Sequence, residues 1–212
     1  MEHQLKTSKC SQEHTTILLF TTRMKRLFIT SIVILTKLFV VAQSNDNVET
    51  TLTIAIPEVA IMDIESVGSK NITLALETPT EAGSMVGVSA AVDSSLWLNY
   101  SSVTGKKSNA SRKIYVRMAS GSIPNGLRLR VTPLNYSGSG DGNIGVSSSP
   151  NGRVINRSDR LILKNINTCY TGDGTGNGHQ LVYKLEYRKN QYHKIKFDQS
   201  NTVTIIYTIT DN

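Results

Sequence analysis

Beyond position 42, imidazole and thiol chemistry rests on three residues: Cys169, His179 and His193. A zinc centre draws three or four N, S or O ligands at recognisable spacing, and two scattered histidines with one cysteine do not supply that pattern. Both histidines are expected on the surface or in loops. No Gly-x-Ser-x-Gly elbow exposes a nucleophilic serine, and no neighbouring histidine is placed to draw a proton from Cys169. Cys169 reads as a small core residue beside Tyr170. The other reading of that thiol is a bridge to a second molecule, because it has no partner for an internal disulfide.

The segment Asp173-Gly174-Thr175-Gly176-Asn177-Gly178 starts as a calcium loop does, with oxygen-bearing side chains at alternate positions before a glycine. Calcium takes six to eight oxygens, and the full motif closes on a bidentate glutamate. The closing position here is Lys184, so the segment reads as a hairpin loop. As a phosphate cradle it lacks both a following helix N-terminus and a Lys-Ser/Thr pair. Paired carboxylates for glycoside cleavage can be named only by elimination, from Glu58, Asp63, Glu65 and Glu186. No catalytic residue, metal or cofactor is expected, and the chain reads as a non-enzyme.

The more informative side chains are cationic. If Ile114, Val116 and Met118 face inward along a strand, then Lys113, Tyr115 and Arg117 face out. If Leu127, Leu129 and Val131 face inward, then Arg128 and Arg130 face out. Were the two strands a hairpin across 119–126, these four cations and one tyrosine would share a sheet face. Such a face would suit an anionic glycan, lipid headgroups or an acidic protein; its plain alternative is a solvated surface that keeps the sheet soluble.

What must position these residues is a set of strands. Apolar side chains recur every second residue in Leu52–Ile56, Val86–Val92, Leu96–Tyr100, Ile114–Met118, Leu127–Val131, Leu181–Tyr187 and Val203–Ile209. That period places one row on a core and the other toward solvent. Ile72–Leu76 and Leu161–Leu163 are further candidates. Turn chemistry separates them at Gly68–Asn71, Pro79, Gly105–Lys107, Pro124–Gly126, Pro150–Gly152 and Asp173–Gly174. Strands at this spacing, without intervening helices, define an all-β protein: an antiparallel β-sandwich of Ig-like or pilin-like type. One domain is expected over 50–212, preceded by a flexible lead-in at 43–49.

Residues 1–42 read as an N-terminal extension and a signal peptide whose start is Met24. Met24-Lys25-Arg26 is a basic lead, Leu27–Val41 is largely apolar, and Val40 and Ala42 sit at −3 and −1 before a polar stretch from Gln43. Lys37 interrupts the apolar run before it reaches the roughly 20 residues of a membrane span. No later stretch is long and apolar enough, so no transmembrane span is expected in the mature chain. The whole chain carries +7. Cleavage at Ala42 removes six of 23 cations and two of 16 acids, leaving 17 against 14 and a net of +3 over 170 residues. That balance gives no ground for nucleic-acid binding.

The alternating first segment Glu49–Ile56 and the last, Thr202–Asp211, look like the terminal strands of bacterial fimbrial and surface-adhesin sandwich modules. The last strand is also similar in texture to that of WxL-type cell-surface domains, with Trp97-Leu98-Asn99 as a loose echo of their Trp-x-Leu. The resemblance covers the leader and the two end strands, implies a structural or adhesive role on the cell envelope, and assigns no site residue. The function expected is that of an extracytoplasmic, non-enzymatic subunit of a cell-surface or outer-membrane assembly. Its partners would be envelope proteins, or further copies joined by strand addition to a sheet edge. The alternatives are a periplasmic accessory protein docking on a secretion channel, a carbohydrate-binding module using Trp97 or tyrosines, and a hydrolase built from remote acids.

Overall fold

The computed structural model describes residues 23–27, 49–106, 110–197 and 201–212. Contacts divide the chain into Met1–Ile54 and Ala55–Asn212. In the first unit, residues 23–27 form a helical turn and 49–54 are exposed. The expected leader, apart from that turn, and nearly all of the lead-in lie outside the described residues.

The second unit is all-β. Eleven strands run in the order β1 (Val59–Ser66), β2 (Val92–Val103), β3 (Arg112–Gly121), β4 (Leu127–Pro133), β5 (Asp141–Gly142), β6 (Val146–Ser147), β7 (Arg153–Val154), β8 (Arg160–Ile166), β9 (Cys169–Tyr170), β10 (His179–Tyr187) and β11 (Val203–Asp211). A short 3-10 turn, Tyr192–Lys194, lies between the last two. One sheet has the order β5-β9-β2-β10-β4-β7, with β1 on the other side of β2; the second has the order β11-β3-β8-β6. All pairings are antiparallel.

The two sheets pack face to face because alternate side chains of each are apolar. Leu96, Leu98 and Tyr100 of β2 and Leu181, Tyr183 and Leu185 of β10 meet Ile114, Val116 and Met118 of β3 and Ile162, Leu163 and Ile166 of β8. Cys169 is buried in this cluster, as its sequence context indicates. The phenols of Tyr183 and Tyr207 touch across the sheets. Burial pushes Tyr183 up to about 12. It raises Tyr207 well above its ordinary value too.

Three expected strands do not form as such. Leu52, Ile54 and Ile56 are 80%, 77% and 78% exposed, in an extended segment without backbone pairing among the described residues. The first strand is Val59–Ser66 instead, whose apolar residues do not alternate cleanly: Met62 and Ile64 turn inward while Ile61 stays exposed. In the expected strand Val86–Val92, Gly87 bridges to Glu77, the chain turns from Val88 to Ala91, the Ala91 carbonyl accepts the Leu185 amide, and Val92 opens β2. Ile72, Leu74 and Leu76 do face the core, yet the backbone from 71 to 76 joins no ladder.

At one end of the sandwich a single cation joins both sheets. Arg112, 2% exposed, opens β3. Its Nε donates to Asp211 Oδ1 at 2.8 Å, at the end of β11, and its Nη2 to Glu58 Oε1 at 2.5 Å, just before β1. Its Nη1 donates to Ser102 Oγ at 3.0 Å, to the Val103 carbonyl at 3.2 Å and to the Val59 carbonyl. Both carboxylates are more than 70% exposed, so each ion pair alone is worth under about 1 kcal/mol. The buried oxygens are another matter, since an orphaned acceptor costs roughly 1–3 kcal/mol. Arg112→Ala is therefore expected to lower unfolding free energy by about 3 kcal/mol, against under about 1 kcal/mol for Glu58→Gln or Asp211→Asn. Urea denaturation of the three variants checks this; three equal losses would refute the hub.

Candidate functional site

The five residues expected on one basic face divide between two sheets. β3 pairs with β11 and β8, whereas β4 pairs with β10 and β7, so β3 and β4 form no hairpin. The connection 119–126 crosses from one sheet to the other. Lys113, Tyr115 and Arg117 stand on the outer side of the four-stranded sheet, and Arg128 and Arg130 on the outer side of the other.

Most of that charge is also spoken for. Glu186 of β10 lies opposite Arg128 in the ladder and binds both arginines: Oε2 takes Arg128 Nε at 2.8 Å, and Oε1 takes Arg130 Nε at 2.9 Å. The hydrogen bond from Arg130 is the main cause holding the Glu186 carboxyl below its ordinary value. Arg130 also reaches the Asn151 carbonyl at 2.9 Å. On the other sheet Arg117 faces Asp159 at 3.6 Å, and Lys113 reaches the Asn212 side chain.

His179 is not a surface or loop residue: it is 1% exposed. It opens β10 on the same parity as Leu181, Tyr183 and Leu185, which turns it inward. Its Nδ1 lies 2.8 Å from the Leu134 carbonyl, which can only accept, so the proton sits on Nδ1. Its Nε2 then accepts from the Tyr100 hydroxyl at 3.1 Å, while that oxygen takes the Gly145 amide at 3.3 Å. The ring stacks on Tyr100, with centroids 6.0 Å apart, and meets Tyr136 edge-on. Burial pulls the imidazole down and pushes the Tyr100 phenol up. Both ring nitrogens are occupied by structural partners, so this histidine has no free lone pair for proton transfer. His193 is exposed in the 3-10 turn. Burial holds the Cys169 thiol up at about 11, far from a thiolate nucleophile.

A cleft of about 430 Å³ opens beside His179, lined among others by Asn135, Tyr136, Gly140, Ile144 and Ser147. Two of its polar side chains are bonded to nearby backbone. Tyr136 Oη takes the Gly140 amide at 2.6 Å and donates to the Thr171 carbonyl, and Ser147 Oγ donates to the Ser149 carbonyl. The adjoining glycine loop is closed on itself in the same way. Asn177 Oδ1, in the position of a would-be cation ligand, takes the Ser139 amide at 3.0 Å, and Asn177 Nδ2 donates to the Asp173 carbonyl. Gly178, at φ +83, passes so close to β2 that a Cβ would lie 2.2 Å from the Leu98 carbonyl oxygen. Among the described residues no group of three or more His, Cys, Asp or Glu could hold a metal ion.

Among the described residues β5, β6 and β7 end sheet paths, and β1 and β11 are edge strands that share one flank. Among the described residues β11 ends its sheet with β3 as its neighbour, and β1 pairs with β2 alone. Both strands turn apolar side chains onto the core, but Met62, Ile64, Val203, Ile205 and Ile209 are only half-buried. Next in the chain before β1 stands the exposed segment Thr51–Ile56. An open edge presents unpaired N–H and C=O groups, a ready template for another strand.

Comparison with protein-family models, with curated proteins and with solved structures finds no match to this chain. Among the described residues, no helix is long and apolar enough to cross a membrane.

The buried imidazole makes stability pH-dependent. Its folded pKa lies below the free value of 6.5, so the unfolded chain takes up a proton first as pH falls through 6.5. Stability present at pH 7.5 is thus lost toward pH 5, with a slope of at most about 1.4 kcal/mol per pH unit from this one group. Chemical denaturation at intervals between pH 7.5 and 5 measures the slope, which His179→Gln should flatten. A wild-type curve flat over that range contradicts the burial of a neutral imidazole.

Proposed function

We propose that this chain is a non-enzymatic structural subunit of an extracytoplasmic surface assembly, working through protein–protein contact at its sheet edges. The observation that carries the reading is the flank: an edge strand of half-covered apolar residues, and an extended, alternating segment left exposed in the same chain. Monomers rarely leave three large aliphatic side chains at full exposure on one strand-forming stretch. The buried, fully bonded His179 and the protonated Cys169 support the non-enzymatic part. The basic, apolar and small-residue layout of 24–42 supports export, and the two-sheet architecture supports a pilin-like or adhesin-like module.

The five basic-face residues enter this reading in two groups. Lys113, Tyr115 and Arg117 lie on β3, next to β11, where Arg117 faces Asp159 and Lys113 reaches the Asn212 side chain, whereas Arg128 and Arg130 are held by Glu186 and serve the sheet.

Expression of the full chain in a bacterial host, with cell fractionation and N-terminal sequencing, tests the compartment. The expected product begins at Gln43 and is recovered outside the cytoplasm; cytosolic protein with an intact leader overturns the reading. Size-exclusion chromatography with light scattering tests the subunit role, with species above monomer mass expected. A concentration-independent monomer that binds a glycan array through Trp97 points to the carbohydrate-binding alternative instead.

A further inference from the structure

Where β10 stops, at the end of the sandwich away from Arg112, the chain runs Arg188-Lys189-Asn190-Gln191-Tyr192-His193-Lys194-Ile195-Lys196-Phe197. Four of the 17 cations beyond position 42 fall within these ten residues, and no acid does. Glu186, just before the run, is taken by Arg128 and Arg130; Asp198, just after it, lies outside the described residues. Among the described residues none of the four cations makes an ion pair. All four are exposed.

The run is built as a fixed loop. The Arg188 amide donates to the Gly126 carbonyl at 2.8 Å and its Nε to the Leu127 carbonyl at 2.9 Å, fastening the loop to the head of β4. The amides of Gln191, Lys194 and Ile195 then donate back to Arg188, Gln191 and Tyr192. Ile195 is extended, at φ −72 and ψ 131, and packs down on Gly126, where a Cβ would lie 2.9 Å from its Cγ1. Lys194 and Lys196, on either side of it, stay in solvent. Tyr192 Oη takes the Val86 amide at 3.0 Å, and its ring meets Tyr187 edge-on. Large apolar surface remains uncovered here: Phe197 is 96% exposed, and Met85, next to the clamped Val86, is 57% exposed.

We infer that the loop 188–197 docks on the surface of an anionic phospholipid bilayer, with Lys189, Lys194 and Lys196 at the headgroup phosphates and Phe197 in the interface below them. Unpaired lysines alone would suit any polyanion. The exposed phenylalanine beside Lys196 distinguishes a bilayer, which offers negative charge and, just beneath it, an apolar medium. A soluble acidic partner answers the lysines and leaves the ring in water. Lysine stems also let the ammonium groups stay with the phosphates while the backbone comes close. Because the loop is already tied to Gly126, Leu127 and Val86, docking orders little that is not ordered beforehand. Neither the subunit role nor the open strand edges enter this assignment; a membrane is a further partner, taken at a different place on the molecule.

Co-sedimentation with vesicles tests this, using the chain as recovered from expression so that wild type and variants share one N-terminus. Wild type should bind vesicles of phosphatidylglycerol mixed with phosphatidylcholine, and bind pure phosphatidylcholine far more weakly. Added salt should release it, because charges at an exposed surface are screened. Lys189→Ser, Lys194→Ser and Lys196→Ser combined should weaken binding roughly a hundredfold, and Phe197→Ser about tenfold with the salt dependence kept. These four side chains are exposed, so both variants should unfold at the wild-type urea midpoint. Equal binding to charged and neutral vesicles overturns the inference, as does undiminished binding by the triple-lysine variant or no binding by wild type. Loss of binding with the lysines but none with Phe197→Ser overturns it too, and leaves the loop as a site for a soluble polyanion such as an acidic protein.

Discussion

The guanidinium of Arg112 is where the two sheets are tied at one end. It lies inside the sandwich, yet each of its three nitrogens finds acceptors: on the approach to β1, along β2 and at the close of β11. Burying a cation is unfavourable unless it is fully bonded, so an arginine in this place commits the surrounding backbone to one arrangement. The need is plain in a chain whose described thiol, Cys169, has no partner. The flank strands β1 and β11 are held by their ladders to β2 and β3, by this charge at one end and by half-covered side chains along their length.

Much of the fold is legible in the alternation. The rows led by Leu96, Ile114, Leu127, Leu181 and Val203 all form strands with the expected row inward. The same parity, carried one step outward, also places Arg112 and His179 in the core: Arg112 precedes Ile114 by two, and His179 precedes Leu181 by two. Reading those positions by residue type alone puts a charge and an imidazole at the surface, because type and parity conflict there, and parity wins where a polar partner is waiting. What alternation cannot convey is which strand lies beside which. The two runs joined by 119–126 look like a hairpin, but the connection crosses between sheets, since β4 finds its partner in β10 some fifty residues on. Leu52–Ile56 shows the converse limit: a pattern able to form a strand forms none without a neighbour.

That division decides the electrostatics. Five outward residues on a single face would have made a strong positive field. Split between opposite faces, with Glu186 gripping two of the arginines, they leave a weak one. Glu186 sits between them because the antiparallel register sets it directly across from Arg128, so the neutralisation comes with the pairing of β4 and β10. The cleft by His179 and the glycine loop follow the same economy, with side-chain oxygens spent on nearby amides and hydroxyls.

The sole tryptophan of the sequence, Trp97, lies on β2 between Glu65 of β1 and Gln180 of β10. Its parity is opposite to that of Leu96 and Leu98, so the half-buried indole stands on the outer face of the sheet, with the flank strand β1 on one side and β10 on the other. Intrinsic emission then distinguishes two events that far-ultraviolet spectroscopy would merge: detachment of β1 alone wets one side of the ring, and melting of the whole sandwich wets both. The chain has a built-in optical reporter at the margin where its architecture is least finished.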